Sequence, residues 1–191
     1  MTITLDNSIL DAIIFDESIQ EAVPSNNYPY FNRKSGLDHY RLLSYLASQV
    51  NGKTLIDIGT NSGGSALALS TNKTNKVISY DVYTDIGVVS LQSISNIELR
   101  IKDCREDKND LINSPIIMLD TTHDGIHEKL VYDFLVTGGF SGLLVMDDIN
   151  YFSGLTNFWN TIQTKKLDIT KYGHVTGTGL VVFNDTEIIL Q

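Results

Sequence analysis

Cysteine is nearly absent: Cys104 stands alone among 191 residues, so no internal disulfide can form and a reducing, cytoplasmic setting is expected. Basic residues are scarce as well. The 14 Lys and Arg face 23 Asp and Glu, for a net charge of −9, and no Lys/Arg cluster offsets it locally. Such a chain repels phosphate backbones, which argues against nucleic acid as the main partner and for a small molecule or glycan. No apolar run approaches the ~20 residues that cross a bilayer, and the first residues lack the basic and apolar regions of a signal peptide, so no membrane association is expected. Repeats, low-complexity tracts and linker-like stretches are missing too. A single domain over residues 1–191 follows, of a size that carries one full core.

What is present falls into two parts. In residues 1–36, Ile9, Leu10, Ile13 and Ile14 stand at helical spacing within 6–23, with Asp6 or Ser8 as cap and Pro24 as terminator. The aromatic stretch 28–36 then reads as a lid loop. Residues 37–50 form an amphipathic helix pattern through Tyr40, Leu43 and Leu46, stopped by Asn51-Gly52. From Thr54 onward, short continuous apolar runs at 54–58, 76–80, 97–101, 116–119 and 142–146 alternate with helix-length segments. Continuous runs belong to strands buried on both faces, as in a parallel sheet. A helix is expected over 157–166, then two strands at 167–175 and 179–183 joined as a hairpin through Thr176-Gly177-Thr178. The fold class is therefore α/β: a Rossmann-like doubly wound sheet, five parallel strands plus a C-terminal antiparallel hairpin, helices on both faces, with 37–191 as a cofactor-binding core.

The first strand of that core runs into Asp57-Ile58-Gly59-Thr60-Asn61-Ser62-Gly63-Gly64-Ser65. A Gly-rich turn between strand and helix is where doubly wound folds bind nucleotides. Asn61 occupies the place where a dinucleotide fingerprint needs a second Gly, and Asp57 would repel a pyrophosphate. The same carboxylate favours a cofactor bearing an ammonium and a sulfonium, as S-adenosylmethionine does. Asp81 ends the second strand about 20 residues on, where an acid accepts hydrogen bonds from ribose hydroxyls. Asp103-Cys104 ends the third and is placed to meet an adenine.

At the other end, strand four delivers Asp120-Thr121-Thr122-His123 and strand five delivers Met146-Asp147-Asp148. Three carboxylates at neighbouring strand ends are costly unless a cation neutralises them. Oxygen ligands from Asp120, Asp147 and Asp148 suit Mg2+ first, with Mn2+ or Ca2+ as alternatives. His123, three residues after Asp120 and at the expected start of the next helix, suits a general base. The reading without a metal is that Asp147-Asp148 caps a helix and His123 is an ordinary loop histidine. His123 and His127 at i and i+4 imitate a zinc pair, but Gly125 lies between them and no Glu follows the first; His127 reads as a surface residue.

On these residues the sequence, from Leu37 onward, resembles the class I S-adenosylmethionine-dependent methyltransferase superfamily. The resemblance implies that Asp57, Gly59 and Gly63 line the methionine part of the cofactor, Asp81 the ribose, and Asp103 with Cys104 the adenine. Asp120-x-x-His123, Gly138-Gly139 and Gly142-Leu143-Leu144-Val145-Met146-Asp147-Asp148 are similar to macrolide sugar O-methyltransferases of the macrocin and mycinamicin type and to cephalosporin-hydroxylase-like proteins. So is the Gly-x-x-x-Gly-Gly-Ser turn of Gly59 to Ser65. That likeness implies Mg2+ on Asp120, Asp147 and Asp148, with His123 as base. The expected function is O-methylation of a hydroxyl on a sugar or other small molecule, in a chain that leaves room for an oligomer. The competing readings are a hydroxylase-like or oxidoreductase enzyme on the same scaffold, or a non-catalytic partner subunit.

Overall fold

The computed structural model describes residues 2–16, 19, 34–83, 91 and 93–191. Its central sheet has seven strands: β2 (Thr54–Ile58), β3 (Lys76–Asp81), β4 (Ile97–Ile101), β5 (Ile116–Leu119), β6 (Leu143–Asp147), β7 (Lys166–Asp168) and β8 (Thr178–Val182). They lie in the order β4-β3-β2-β5-β6-β8-β7. The first five are parallel, and β8 runs antiparallel to both β6 and β7. This is the expected doubly wound sheet with its antiparallel C-terminal pair.

Alternation within each strand builds two cores. Leu55, Met118 and Val145 face one layer, with Leu42, Leu43 and Leu46 of helix α2 (Lys34–Ser48) and Leu67 of α3 (Gly64–Leu69). Ile56, Ile117 and Leu144 face the other, against Leu111 of α4 (Lys108–Asn113), Val131 and Leu135 of α5 (Ile126–Gly138) and Phe158 of α6 (Ser153–Thr161). Burial on both faces is why these strands are continuous apolar runs. The strand order reverses between β2 and β5, so their carboxyl ends open the crevice in which such sheets bind ligands. The two ends nearly touch. A Cβ on Gly59, whose φ is +96°, would sit 1.6 Å from the backbone oxygen of Asp120, so only glycine fits there.

Three expectations change. The N-terminal helix is short: α1 spans Asn7–Asp11, capped by Asp6, whose carboxylate accepts from Ser8 N at 2.7 Å; the rest of that expectation and the lid loop fall largely outside the described residues. Before it, β1 (Thr2–Leu5) pairs in parallel with β9 (Glu187–Leu190) and seats Ile3 and Leu5 in the core. The C-terminal hairpin has no tight turn. β7 ends at Asp168, whose Oδ1 accepts from Thr170 N and Oγ1 at 3.0 and 2.5 Å, and the chain then buries Ile169 and Tyr172 before β8 begins. Finally, α6 occupies Ser153–Thr161 instead of 157–166, and α5 starts at Ile126, leaving His123 in the loop before it. No helix among the described residues is long and apolar enough to cross a membrane.

Candidate active site

A cavity of about 490 Å³ opens along the carboxyl ends of β2 to β6, within the range of small-molecule sites. Its walls bring together the two groups of residues that the sequence singles out.

On one side the turn after β2 is held to the sheet by Gly59 N and Thr60 N donating to Tyr80 O at 2.9 and 3.2 Å. Asp81 accepts from the backbone N–H of Asn61 at 3.1 Å and of Tyr83 at 3.0 Å, so it ties this turn to the loop after β3. Asp103 accepts from Arg105 N and pairs with its guanidinium at 2.5 Å, which holds its carboxyl below the usual range. Burial, reinforced by Asp103, pushes the Cys104 thiol up to about 12, so it stays a neutral, apolar part of the wall. Gly59, Asn61, Asp81, Asp103 and Cys104 all line the cavity; Gly63 and Asp57 stand behind its surface. Asp57 is wholly buried with Ser79 Oγ donating to it at 2.6 Å, and desolvation raises its carboxyl to about 7.

On the other side, His123 Nε2 lies 2.6 Å from Asp120 Oδ1 and 3.4 Å from Asp148 Oδ2. Burial raises the carboxyl of Asp120 despite that contact, while the bond to Asp120 raises the imidazole of His123. At His123 the neighbouring carboxylates outweigh the opposing effect of burial. His123 stacks on Phe152, with ring centroids 5.5 Å apart.

The loop carrying His123 is strained and held in place. His123, Asn61 and Asp148 are the non-glycine residues with positive φ among the described residues, and all three line the cavity. Such conformations persist where neighbours over-determine them. Glu128, wholly buried in the first turn of α5, accepts from His123 N at 2.7 Å, Gly125 N at 2.9 Å and Thr121 Oγ1 at 2.6 Å. Glu128→Ala should leave these donors unpaired and cost about 1–3 kcal/mol, with turnover falling more than cofactor affinity. Urea titration showing unchanged stability would reject that anchoring role.

Beyond His123 the site contains more imidazole than expected. His39 on α2 and His174 in the loop between β7 and β8 also line the cavity, as does His127, which is half-buried and not a surface residue. All four histidines of the chain therefore converge here. His174 Nδ1 lies 3.2 Å from Asp147 Oδ2, 3.5 Å from Asp148 Oδ1 and 2.9 Å from Thr176 Oγ1. Bonds to Asp147 and Asp148 push its imidazole up to about 10. Burial favours the neutral form of Asp147, but the charges of His39 and His174 overcome it and hold the carboxyl below its usual value. Asp147, Asp148 and His174 each offer a ligand atom within 4.8 Å of the others, a set that could hold a metal ion. Asp120 is engaged with His123 instead.

The missed histidines had weak signals. His39 shares the buried stripe of α2 with Leu43 and Leu46, an odd place for a polar ring. His174 falls inside a segment that reads as strand.

No protein-family model matches the sequence, and no curated protein sequence matches it. Solved structures do share the architecture. Cofactor-bound Rv0187 from MTB is 15% identical with a TM-score of 0.64, covering 93% of this chain and 95% of that one. The SAH-bound methyltransferase PaMTH1 of Podospora anserina is 12% identical with a TM-score of 0.62, over 90% and 89%. The O-methyltransferase TomG of Streptomyces achromogenes, involved in tomaymycin synthesis and in complex with SAM, is 13% identical with a TM-score of 0.61, over 91% and 92%. At such identities the likeness establishes the fold alone: the doubly wound α/β sheet that these methyltransferase structures share.

Proposed function

We propose that this chain is an S-adenosylmethionine-dependent O-methyltransferase that acts, with the help of a divalent cation, on a hydroxyl of a sugar or other small molecule. One observation carries the reading: a single cavity joins the turn at Gly59 and the Asp81 carboxylate to His123, Asp120 and the Asp147–Asp148 pair. Cofactor and acceptor can thus meet along one sheet edge, and holding reactants at attack distance supplies much of the acceleration.

On this reading the turn and Asp81 bind the cofactor, Asp81 accepting from the ribose hydroxyls. His123, held at Nε2 by Asp120, would take the acceptor's hydroxyl proton at its other ring nitrogen, Nδ1, freeing the oxygen's electron pair to bond the methyl carbon as the carbon–sulfur bond breaks. Bound in the cavity, S-adenosylmethionine would supply the electrophilic methyl group and a neutral thioether as leaving group, and the proton would leave on the imidazole. Asp120 orients the ring and stabilises the imidazolium that forms. The cation's residues fit on the structure's own terms: Asp147 Oδ1 and Asp148 Oδ1 are buried without a hydrogen-bond partner. Bound there, a divalent ion would supply Lewis acidity toward the acceptor oxygens. The exposed ring of Phe152 beside His123 offers the acceptor an apolar face.

The test is calorimetric. S-adenosylhomocysteine should bind the wild type, NAD should not, and Asp81→Ala should weaken the former by about 1.5–3 kcal/mol, the value of hydrogen bonds to a charged group. Unchanged affinity in that variant would remove Asp81 from the ribose, and binding of NAD alone would favour an oxidoreductase.

A further inference from the structure

We infer that the cation centre is a mixed nitrogen–oxygen site in which His174 Nδ1 is a ligand beside Asp147 and Asp148, while Asp120 stands outside it as the partner of His123. The inference deepens the proposed function and rests on it only in placing a cation at this end of the cavity.

Among the described residues it is His174, and not Asp120, that groups with Asp147 and Asp148 with ligand atoms within 4.8 Å of one another. Two ligands at ~2.1 Å from one ion and at right angles to each other lie about 3.0 Å apart. His174 Nδ1 is 3.2 Å from Asp147 Oδ2 and 3.5 Å from Asp148 Oδ1, close to that spacing. Asp120 Oδ1 is instead bound to His123 Nε2 at 2.6 Å.

A second observation is independent of the carboxylate cluster. His39 Nδ1 and Asp147 Oδ1 face each other across 3.9 Å in residues that are 4% and 5% exposed, and neither atom has a hydrogen-bond partner. Buried polar atoms are rarely left unpaired, and this gap is too wide for a direct hydrogen bond. A cation on Asp147 would satisfy the carboxylate oxygen.

The backbone fixes His174 in place. Asp147 pairs with Thr178 across β6 and β8, and Thr178 Oγ1 accepts from His174 N at 2.8 Å. Ile149 N and Asn150 N donate to Gly177 O and Thr176 O at 3.3 and 3.0 Å, so the loops bearing Asp148 and His174 are laced together. The three ligand residues therefore form one framework, held before any ion arrives.

An imidazole ligand changes the metal. Carboxylates and water alone suit Mg2+, whereas nitrogen shifts preference toward divalent transition ions. The site should thus prefer Mn2+ over Mg2+, contrary to the oxygen-only expectation from the sequence.

The experiment uses the full chain, stripped of metal and without cofactor or acceptor, so its outcome is separate from methyl transfer. Calorimetry should show Mn2+ binding more tightly than Mg2+. Pulsed electron paramagnetic resonance of the Mn2+ complex should show a directly coordinated nitrogen. That coupling should vanish in His174→Ala, with Mn2+ affinity down at least about tenfold. His174→Gln, which conserves size and offers oxygen, should recover part of the affinity without the nitrogen signal. Asp120→Ala should keep the signal and most of the affinity. An Mn2+ complex without nitrogen coupling, coupling that survives in His174→Ala, or loss of binding in Asp120→Ala alone would each overturn the assignment. So would failure of the wild type to bind Mn2+, whether or not it binds S-adenosylhomocysteine.

Discussion

His123→Ala is expected to lower kcat by roughly 10²–10⁴-fold, the usual worth of a positioned general base. Affinity for S-adenosylhomocysteine should hardly move, because the turn and Asp81 lie on β2 and β3 while His123 follows β5. The pH profile supplies a second readout. Asp120 raises the pKa of His123, so the imidazole is more often protonated than an ordinary one, and only its neutral form accepts the acceptor's proton. Turnover in the wild type should therefore climb as pH rises through that elevated pKa, and this limb should be missing from His123→Ala. A variant with wild-type turnover on a true acceptor removes His123 from the reaction. A variant whose main loss is Mn2+ affinity makes it a metal ligand instead.

Asp57→Asn should stabilise the protein at alkaline pH, by an amount on the order of 4 kcal/mol. Asp57 is wholly buried and its carboxyl is raised from 3.8 to about 7, chiefly by desolvation. Roughly three units at 1.36 kcal/mol each give that magnitude. Between these two values the native state keeps the proton that the unfolded chain has already released. The unfolded state then binds fewer protons, so the wild type loses stability as pH climbs from about 4 to about 7. Asparagine does not titrate, and its carbonyl can still accept from Ser79 Oγ. The two proteins should be similar in urea at pH ~4.5 and diverge by pH ~8. Parallel pH–stability curves would show that Asp57 is not held neutral. A carboxyl kept at such a cost directly behind the cofactor turn has a reason if a cationic cofactor restores its charge, so Asp57→Asn should also bind S-adenosylmethionine more weakly.

Much of this architecture is legible in the residues because burial on both faces leaves little choice. β2 and β5 fall at their expected limits, since strands covered on both sides show as short apolar runs between turn residues; β4 does too, although it is a half-buried edge strand in which Ile97, Leu99 and Ile101 alternate with Glu98 and Arg100. The Gly59 turn and the acids at 81, 103, 120, 147 and 148 were visible for a related reason. In parallel strands every carboxyl end lies on one edge, so sequence position alone places such residues on the same side of the sheet. The short helix starts were less visible. α5 begins at Ile126 because Gly125, at φ +78°, and Glu128 cap it there, while apolar periodicity does not specify which turn is the first.

By itself, then, the sequence determined the sheet, its parallel character and the edge that carries the chemistry, because these follow from local apolar pattern and strand direction. The tertiary structure alone decided which side chains actually meet there. Pairing of Thr2–Leu5 with Glu187–Leu190 joins two four-residue segments across nearly the whole chain, a partnership that local pattern does not specify. His39 enters from α2 and His174 from a loop that reads as strand, and only packing turns both toward Asp147. Asp120 is drawn to His123 by a 2.6 Å contact that spacing permits but does not require. The ligand set of a site depends on distances of a few tenths of an ångström between residues remote in sequence, and such distances are set by the packing of the whole fold.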